Sequence, residues 1–310
     1  MEKFKKIGFV FNCLKDAPEW LLSHAIMPLA LEKEECFRIY FTGRHKDGKS
    51  RISFFDIDKR SPDKLLYVHQ SPILEVGAKG TFDDCGTVGT FVMEHENKVY
   101  LYYNGYNVRN TVPWSNSIGL AVSKDGGETF EKAFKGPILD RNTLDPYFVI
   151  SPSVLIIDNK WHMWYTSGTG WLDIDNRVEP VYNIKHATSE DGINWLRPNT
   201  VAIEQENFEE CVARASVIRD GDKLKMWFIY RGSRDFRDGI DSYRIGYAES
   251  DIKSPHDWVR MDKNNGILPG PEKYDDKMQA YANVIQANGK KYMFYNGNSF
   301  GKEGVLLAIS

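Results

Sequence analysis

The chain repeats one pattern of hydrophobic and polar positions five times. In each copy an alternating strand rich in aromatic residues ends in a small or polar residue followed by glycine, and the terminal glycines lie at positions 43, 105, 168, 232 and 297. The period is therefore roughly 62–65 residues. A fixed period of strand-rich units is typical of radially repeated β architectures. No segment shows a helical periodicity long enough to favour another fold.

Each repeat predicts four strands. A strand of small and branched residues precedes the aromatic strand, a third strand follows it, and a polar turn such as Lys124–Gly127 leads into a fourth. We therefore predict an all-β fold, a five-bladed β-propeller of four-stranded antiparallel blades that occupies residues 1–310 as one domain. The last repeat stops at its third strand, and residues 7–11 form a spare strand. We expect this N-terminal strand to close the ring, which removes an exposed edge. A β-sandwich array or two barrels fit the even period less well.

Composition narrows the function. The formal net charge of −3 argues against a general nucleic-acid or membrane-surface binder. No run of about 18 apolar residues predicts a membrane span, and no apolar region behind residues 1–6 predicts a secretion signal. The four cysteines are scattered, so we expect free thiols, a cytoplasmic protein, no metal site and no cofactor. Aromatic residues reach 13%, which suits both a packed core and a sugar-binding site.

The propeller pattern also sorts the loops between two faces. Segments leading into the innermost strands share one face, called here the near face, with the loops between second and third strands. Turns such as Ser123–Phe130, which resembles a sialidase Asp box, lie on the far face, where we expect them to stabilise turns. The near-face loops are long, aromatic and rich in arginine, which favours a ligand carrying carboxylate or phosphate. The predicted substrate-binding residues are Arg214, Arg231, Gln279, Tyr106, Trp171, Arg109 and Arg234.

Candidate catalytic groups precede the innermost strands. Asp84, Asp145 and Glu210 lead into blades two, three and four, and His24 leads into blade one. Carboxylates gathered at a propeller mouth can perform acid–base or nucleophilic chemistry on a glycosidic bond. The alternative is that these acids cap turns and pair with nearby arginines.

Five blades, an Asp-Pro pair leading into the third and a glutamate leading into the fourth resemble the clan of glycoside hydrolase families 43 and 62, with families 32, 68 and 130 as relatives. The resemblance implies that Glu210 is the general acid and that Asp145 tunes its pKa. His24 stands where the family has its base aspartate. The base is then Asp83 or Asp84 from blade two, or His24 itself.

These features predict a carbohydrate-active enzyme that acts on a glycosidic bond by hydrolysis or glycosyl transfer. Its expected partner is a small carbohydrate or an acidic or phosphorylated sugar. We expect it to bind neither nucleic acid nor a membrane. The alternative is a non-catalytic propeller that binds a carbohydrate or nucleotide sugar in surface-polysaccharide synthesis. A sialidase is a third reading, which rests on the Asp-box-like turn and on the arginines.

Overall fold

A computed structural model describes residues 3–310, so Met1 and Glu2 of the N-terminal segment lie outside the described residues. Twenty strands in this range form five four-stranded antiparallel sheets, and neighbouring strands follow the chain order in every sheet except the one that contains the N-terminal strand. The first three blades comprise β2 Leu21–Glu32, β3 Cys36–His45, β4 Ser50–Asp58 and β5 Leu65–Val68; β6 Thr87–His95, β7 Lys98–Val108, β8 Trp114–Ser123 and β9 Glu131–Lys132; and β10 Val149–Ile157, β11 Lys160–Ile174, β12 Arg177–Ser189 and β13 Leu196–Ile203.

Blade five contains the strand that closes the ring. The last two blades comprise β14 Cys211–Asp220, β15 Lys223–Arg231, β16 Arg244–Asp251 and β17 Val259–Arg260; and β18 Ala280–Ala287, β19 Lys290–Asn296, β20 Gly304–Ile309 and β1 Lys5–Asn12. Strand β1 pairs antiparallel with β20, so that Lys5 faces Ile309 and Asn12 faces Gly304. The predicted five-bladed fold and its closure by the N-terminal strand are therefore confirmed. A 3₁₀ turn, Asp262–Asn264, and a short helical turn, Asn298–Gly301, lie between strands.

The hydrophobic core is divided among the blade junctions. Five clusters of buried side chains each combine residues of two adjacent blades, and one cluster lies at each junction of the ring. This division follows from the alternation of strand residues, because each blade is covered on both faces by its neighbours. The aromatic residues that mark the repeat fill these junctions, and Tyr40, Tyr102, Trp164 and Trp227 are almost completely buried.

Three of those aromatic residues also join their blade to the next one. Tyr40 Oη donates to the Gly127 carbonyl at 2.7 Å, Tyr102 Oη to Gly192 at 2.9 Å, and Trp164 Nε1 to Pro255 at 2.9 Å. The accepting carbonyls lie in the far-face turns of the following blade. The repeat therefore favours Tyr and Trp over Phe here because a buried ring with a polar tip can fix the neighbouring turn.

The Asp-box-like turn stabilises its own backbone. Asp125 accepts the Glu128 amide at 3.0 Å and the Thr129 amide at 3.1 Å, and Ser123 Oγ accepts the Gly127 amide at 2.8 Å. Burial opposes the charged form, but hydrogen bonds from Ser123 and Thr129 outweigh it and lower the pKa of Asp125. These contacts lie on the far face and are those of a turn.

A second set of contacts joins the innermost strands near the propeller axis. At four of the five junctions, a side chain of one blade's second strand accepts an amide from the next blade's innermost strand. The pairs are Thr42 with Gly89 at 3.0 Å, Asn104 with Ser151 at 2.9 Å, Thr166 with Arg214 at 3.0 Å, and Asn296 with Met27 at 2.9 Å. The fifth junction, between blades four and five, lacks this contact among residues 3–310.

Two further properties concern the chain as a whole. In the part of the chain that the structure describes, no helix is long and apolar enough to span a membrane. The four cysteines are unpaired, and Cys211 is buried.

Candidate functional site

A cavity of about 390 Å³ opens on the near face, where the propeller axis meets it. All five blades contribute to its lining, through their innermost strands and through the loops between second and third strands. The residues with polar or aromatic side chains are His24, Arg44, Tyr106, Trp114, Ser151, Glu179, Tyr182, Arg214, Arg231, Phe236, Arg237, Tyr243, Tyr281 and Phe300. The size suits a small-molecule site.

Bulges in the innermost strands shape the floor of the cavity. Met27, Ser151, Arg214 and Tyr281 all have left-handed φ angles, between 51° and 56°, and each lies at a break in strand register. A non-glycine residue in this region costs of order 1–3 kcal/mol, and such strain clusters at functional sites. The bulges turn these four side chains into the lining of the cavity.

Arg214 is a buried cation without a carboxylate partner. Its side chain is 2% exposed and donates to the Pro28 carbonyl at 2.9 Å and to the Thr90 carbonyl at 3.4 Å. The Nε atom is buried and has no partner among the described residues. Burial lowers the pKa of Arg214 to about 9. An uncompensated buried charge is costly, so the site favours an incoming anion.

Arg231 is a second buried guanidinium whose acceptors are all neutral. Its Nε lies 3.2 Å from Tyr182 Oη and 3.1 Å from Tyr243 Oη, and its other nitrogens donate to backbone carbonyls. The group lies 3.8 Å from the centre of the Phe236 ring, a cation–π geometry. Arg231 also occupies the repeat position of Thr42, Asn104, Thr166 and Asn296, where the other blades have an acceptor for the next blade. Because arginine has no acceptor, blade four departs from the repeat at this position.

Two titratable groups other than arginine and tyrosine line the cavity. His24 Nδ1 lies 2.8 Å from Ser23 Oγ, and burial, together with Arg44 and Lys302, lowers the pKa of His24 to about 4. The imidazole is therefore neutral near pH 7. Glu179 is 6% exposed, and its Oε1 accepts Arg237 Nη1 at 2.8 Å. Within the described residues, Glu179 is the one carboxylate in the lining.

Comparison with known proteins places the chain in a family. No protein-family model matches it. The chain is 33% identical to MT1551, an uncharacterized protein of Mycobacterium tuberculosis, over 309 residues that cover 99% of this chain and 98% of the relative. The chain belongs to the MT1551 family. The chain is also 28% identical over 155 residues to a β-1,2-mannobiose phosphorylase of Thermoanaerobacter sp., a match that covers 46% of the chain and 48% of that enzyme.

Solved structures resemble the MT1551 family member along most of its length. A thermostable family-43 glycoside hydrolase has a TM-score of 0.65 and 17% identity, and covers 93% of this chain and 89% of its own. A second structure comes from glycoside hydrolase family 130, a family of mannoside phosphorylases that contains glycoside hydrolases targeting β-1,2 mannosidic linkages. It has a TM-score of 0.66 and 15% identity, and the match covers 100% of this chain and 90% of that chain. The predicted resemblance to five-bladed glycoside hydrolase propellers is confirmed at the level of the fold.

Asp145, which the family resemblance predicts to tune the pKa of the general acid, lies outside the cavity lining. Its carboxylate is fully buried, with Lys185 Nζ at 2.9 Å, Arg197 Nη1 at 2.8 Å, Ser167 Oγ at 2.7 Å and Tyr165 Oη at 3.1 Å. Burial favours the neutral acid, but hydrogen bonds from Lys185 and Ser167 outweigh it and lower the pKa of Asp145. In these surroundings the carboxylate joins strands of blade three.

The same arrangement recurs around the propeller of this MT1551 family member. An aspartate accepts the hydroxyl of a tyrosine 20 residues later in blades two, three and five, at 3.0–3.1 Å. A basic side chain from the same sheet completes each set. The pairs are Asp83 with Tyr103, Asp145 with Tyr165, and Asp275 with Tyr295. This acid–tyrosine pair is part of the blade scaffold.

Blades one and four vary the pair in informative ways. In blade one the same spacing holds Leu21 and Phe41, so the acid is missing where the ring lacks a hydroxyl. In blade four Glu210 and Tyr230 keep the spacing, but Glu210 binds Arg260 through both oxygens, at 2.8 and 3.0 Å. The acid–tyrosine pair of the scaffold is thus absent from blade one.

The structure brings four of the predicted site residues together in the cavity: His24, Arg214, Arg231 and Tyr106. Glu210 instead lines a neighbouring cavity of about 360 Å³ that shares Arg231. Asp84 accepts the Gly80 amide and the Asn107 side chain, both at 2.8 Å. The catalytic roles of Glu210, Asp145 and Asp84 stay predictions.

The remaining predicted binding residues also lie outside the lining. Trp171 packs behind Trp114, with ring centres 4.9 Å apart, and Gln279 donates to Asp275 at 2.8 Å. Arg234 pairs with Glu209, and Arg109 is exposed.

Sequence reasoning missed Glu179, Tyr243, Tyr281, Phe236 and Phe300. A signal existed for Tyr281, since it aligns with Arg214 and Met27 in the repeat. Glu179 lies near the tip of a β11–β12 hairpin that is longer than its counterparts in the other blades, and no repeat position predicts it.

Proposed function

We propose that the central cavity binds a small saccharide carrying a phosphate or carboxylate group, and that the protein cleaves or transfers a glycosyl group at this site. The observation that carries the proposal is the pair of buried guanidinium groups, Arg214 and Arg231, that line the cavity without a carboxylate partner. A bound anion would supply the missing charge.

The charge balance of the lining supports an anionic ligand. Four arginines face one carboxylate, Glu179, and that carboxylate already binds Arg237. His24 adds no negative charge. Guanidinium groups suit carboxylate and phosphate because their forked N–H groups match the oxygens of both. A partly desolvated site also strengthens each of these contacts relative to water.

The aromatic residues support a sugar as the rest of the ligand. Tyr106, Trp114, Phe236, Tyr243 and Tyr281 line the walls, and flat aromatic faces pack well against the apolar faces of pyranose rings. The named activity of the Thermoanaerobacter relative, a mannobiose phosphorylase, is consistent with a saccharide ligand and with phosphate as the second reactant.

The chemistry follows from the groups that line the cavity. An oxygen of water or phosphate attacks the anomeric carbon, the glycosidic C–O bond breaks, and the leaving oxygen takes a proton. Glu179 and His24 are the cavity side chains, other than arginine and tyrosine, that could take part in proton transfer with the reacting oxygens. Arg214 and Arg231 would hold the anionic reactant. Glu210, across Arg231, remains the predicted acid from the family resemblance.

Calorimetric titration tests the proposal. The panel is inorganic phosphate, glucose 6-phosphate, glucuronate and neutral mannobiose, tested on wild type, Arg214→Met, Arg214→Lys and the exposed control Arg60→Met. We expect the wild type and the control to bind an anionic member of the panel, and Arg214→Met to lose at least about 100-fold in affinity. Arg214→Lys keeps the charge without the fork, so its affinity should lie between those of wild type and Arg214→Met. Equal binding of neutral and anionic sugars, unaffected by Arg214→Met, would refute the proposal.

A binding protein without turnover is the second candidate. It is favoured by one observation: Asp145, Asp84 and Glu210 are all engaged by other side chains or amides outside the cavity. Product analysis with wild type and Glu179→Gln separates the two functions. Product formed by wild type and lost in Glu179→Gln supports the enzyme, whereas saccharide binding with no product in either protein supports the binding function.

A further inference from the structure

The junction between blades four and five is built differently from the other four. Elsewhere Thr42, Asn104, Thr166 or Asn296 accepts an amide of the next blade's bulge. Blade four has Arg231 at this position, which has no acceptor. The amide of Tyr281, on the blade-five bulge, accordingly has no side-chain acceptor within residues 3–310. The repeat's own contact is absent where an arginine lines the cavity.

A different contact crosses this junction at the near face. Asp238 belongs to the loop between β15 and β16 of blade four, and Ser299 belongs to the turn after β19 of blade five. Asp238 Oδ1 accepts the Ser299 amide at 2.7 Å, and its Oδ2 accepts Ser299 Oγ at 2.7 Å. One carboxylate therefore holds both donors of a single residue on the neighbouring blade.

The backbone on both sides of this contact is strained. Asp238, Ser299 and Phe300 have φ angles of 64°, 54° and 58°, all in the left-handed region. Two consecutive non-glycine residues in that region persist only where the surrounding structure holds them. The Asp238–Ser299 contact fixes the first of these two residues directly, and through it the direction of the Phe300 side chain.

Phe300 is part of the cavity wall. Its ring lies 5.8 Å from Tyr243 and 6.4 Å from Phe236, both edge-on, and all three rings line the cavity. Phe236 in turn lies against Arg231. The wall formed by Phe236, Tyr243 and Phe300 thus depends on how the blade-four loop and the blade-five turn are joined.

We infer that Asp238 and Ser299 are positioning residues for the sugar-binding wall of the cavity, an inference that rests on the proposed function. Arg214 is held by blades one, two and three, through Pro28, Thr90 and Thr166, and does not touch this contact. Loss of the Asp238–Ser299 contact should therefore weaken binding of the sugar part of a ligand while leaving its anion unaffected.

The test compares Asp238→Ala, Asp238→Asn and Ser299→Ala, with Asp235→Ala as the matched control. Asp235 lies in the same loop and accepts the Ile240 amide without crossing the junction. Asparagine can accept the Ser299 amide and donate to its hydroxyl, so Asp238→Asn should restore most of what Asp238→Ala loses. If the neutral asparagine restores ligand binding, the hydrogen-bond geometry of residue 238 matters and its charge does not.

Each variant is titrated with glucose 6-phosphate or glucuronate, whichever the wild type binds, and with inorganic phosphate. For Asp238→Ala we expect the Kd of the sugar ligand to rise about five- to tenfold, because roughly one aromatic contact is lost. The Kd of phosphate should change less than about twofold. Equal losses for both ligands, or an unchanged sugar Kd, would overturn the inference. Ser299→Ala, the milder change, decides the question if Asp238→Ala does not fold.

Hydrogen exchange at residues 297–303 gives a readout that needs no ligand. We expect faster exchange in Asp238→Ala than in wild type and in Asp235→Ala. If the wild type binds no saccharide, the proposed function fails, and this measurement alone decides whether Asp238 holds the turn. Unchanged exchange would then overturn the inference as well.

Discussion

Replacing Arg214 with methionine should change the stability of the free protein by at most about 2 kcal/mol and strongly weaken anion binding. The guanidinium is 2% exposed, has two backbone acceptors and no carboxylate, and leaves Nε unpaired. Replacing buried charged groups by apolar side chains has stabilised proteins by about 1–4 kcal/mol. Two lost hydrogen bonds cost about 1 kcal/mol each. We therefore expect the stability of Arg214→Met to lie between about 1 kcal/mol below and about 2 kcal/mol above that of wild type.

The ligand should separate the two proteins more clearly. A charge-assisted hydrogen bond is worth about 1.5–3 kcal/mol, so losing two such bonds should weaken anion binding by at least about 100-fold. Thermal unfolding with and without the ligand measures both effects in one experiment. Ligand at 100 times its Kd adds about 2.7 kcal/mol to wild type, and it should add almost nothing to Arg214→Met. A variant that is more than about 2 kcal/mol less stable than wild type and still gains stability from the ligand would refute the reasoning.

Three other predictions test separate parts of the structure. Asp145→Asn leaves Lys185 and Arg197 without their carboxylate, so the free energy of unfolding measured in urea should fall by about 3–5 kcal/mol. Tyr165→Phe should lower it by about 1 kcal/mol. A wild-type urea midpoint for Asp145→Asn would contradict the scaffold role. Burial, together with His162, lowers the pKa of His186 to about 3, so below its unfolded value near 6.5 the unfolded chain binds a proton that the folded one does not. Stability should therefore fall as the pH falls from about 6.5 toward 3, and His186→Gln should flatten this part of the urea-midpoint profile; identical profiles would rule out His186 as the cause. Because burial lowers the pKa of Arg214 to about 9, anion affinity measured by calorimetry should decrease more steeply above pH 9 in wild type than in Arg214→Met, and equal slopes would show that Arg214 does not titrate in this range.

The fold could be predicted from the sequence because its information is periodic. The glycines at the ends of the second strands, the small residues of the innermost strands and the spare N-terminal strand each require the same five-bladed ring. Such features depend on local alternation and on equal spacing, which a single sequence displays. The closure by β1 followed from counting strands, with no knowledge of distances.

The site was harder to predict because the scaffold uses the same residue types as catalysis. Asp145 and Glu210 resemble catalytic acids in position and chemistry, yet each is neutralised by basic side chains. The scaffold contact itself was visible in the repeat: three aspartates precede a tyrosine by 20 residues, and blade one lacks both the acid and the hydroxyl. The catalytic roles of Asp145 and Glu210 stay predictions.

Departures from the repeat point to the cavity instead. Arg231 replaces an acceptor that the other blades retain, and Arg214 places a charge on a bulge where the aligned blades have Met27, Ser151 and Tyr281. Alignment of the five units could have found both departures. Glu179 and Phe300 could not be found in this way, because they lie in loops of unequal length whose course depends on contacts between blades.

A crystal structure of the wild type with glucose 6-phosphate or glucuronate would test the central claim most directly. We expect the phosphate or carboxylate oxygens to lie within about 3.2 Å of the Arg214 or Arg231 guanidinium, with the sugar ring against the wall formed by Phe236, Tyr243 and Phe300. A ligand bound in the cavity with its anionic group turned toward solvent, or bound on another surface while the cavity stays open, would contradict it.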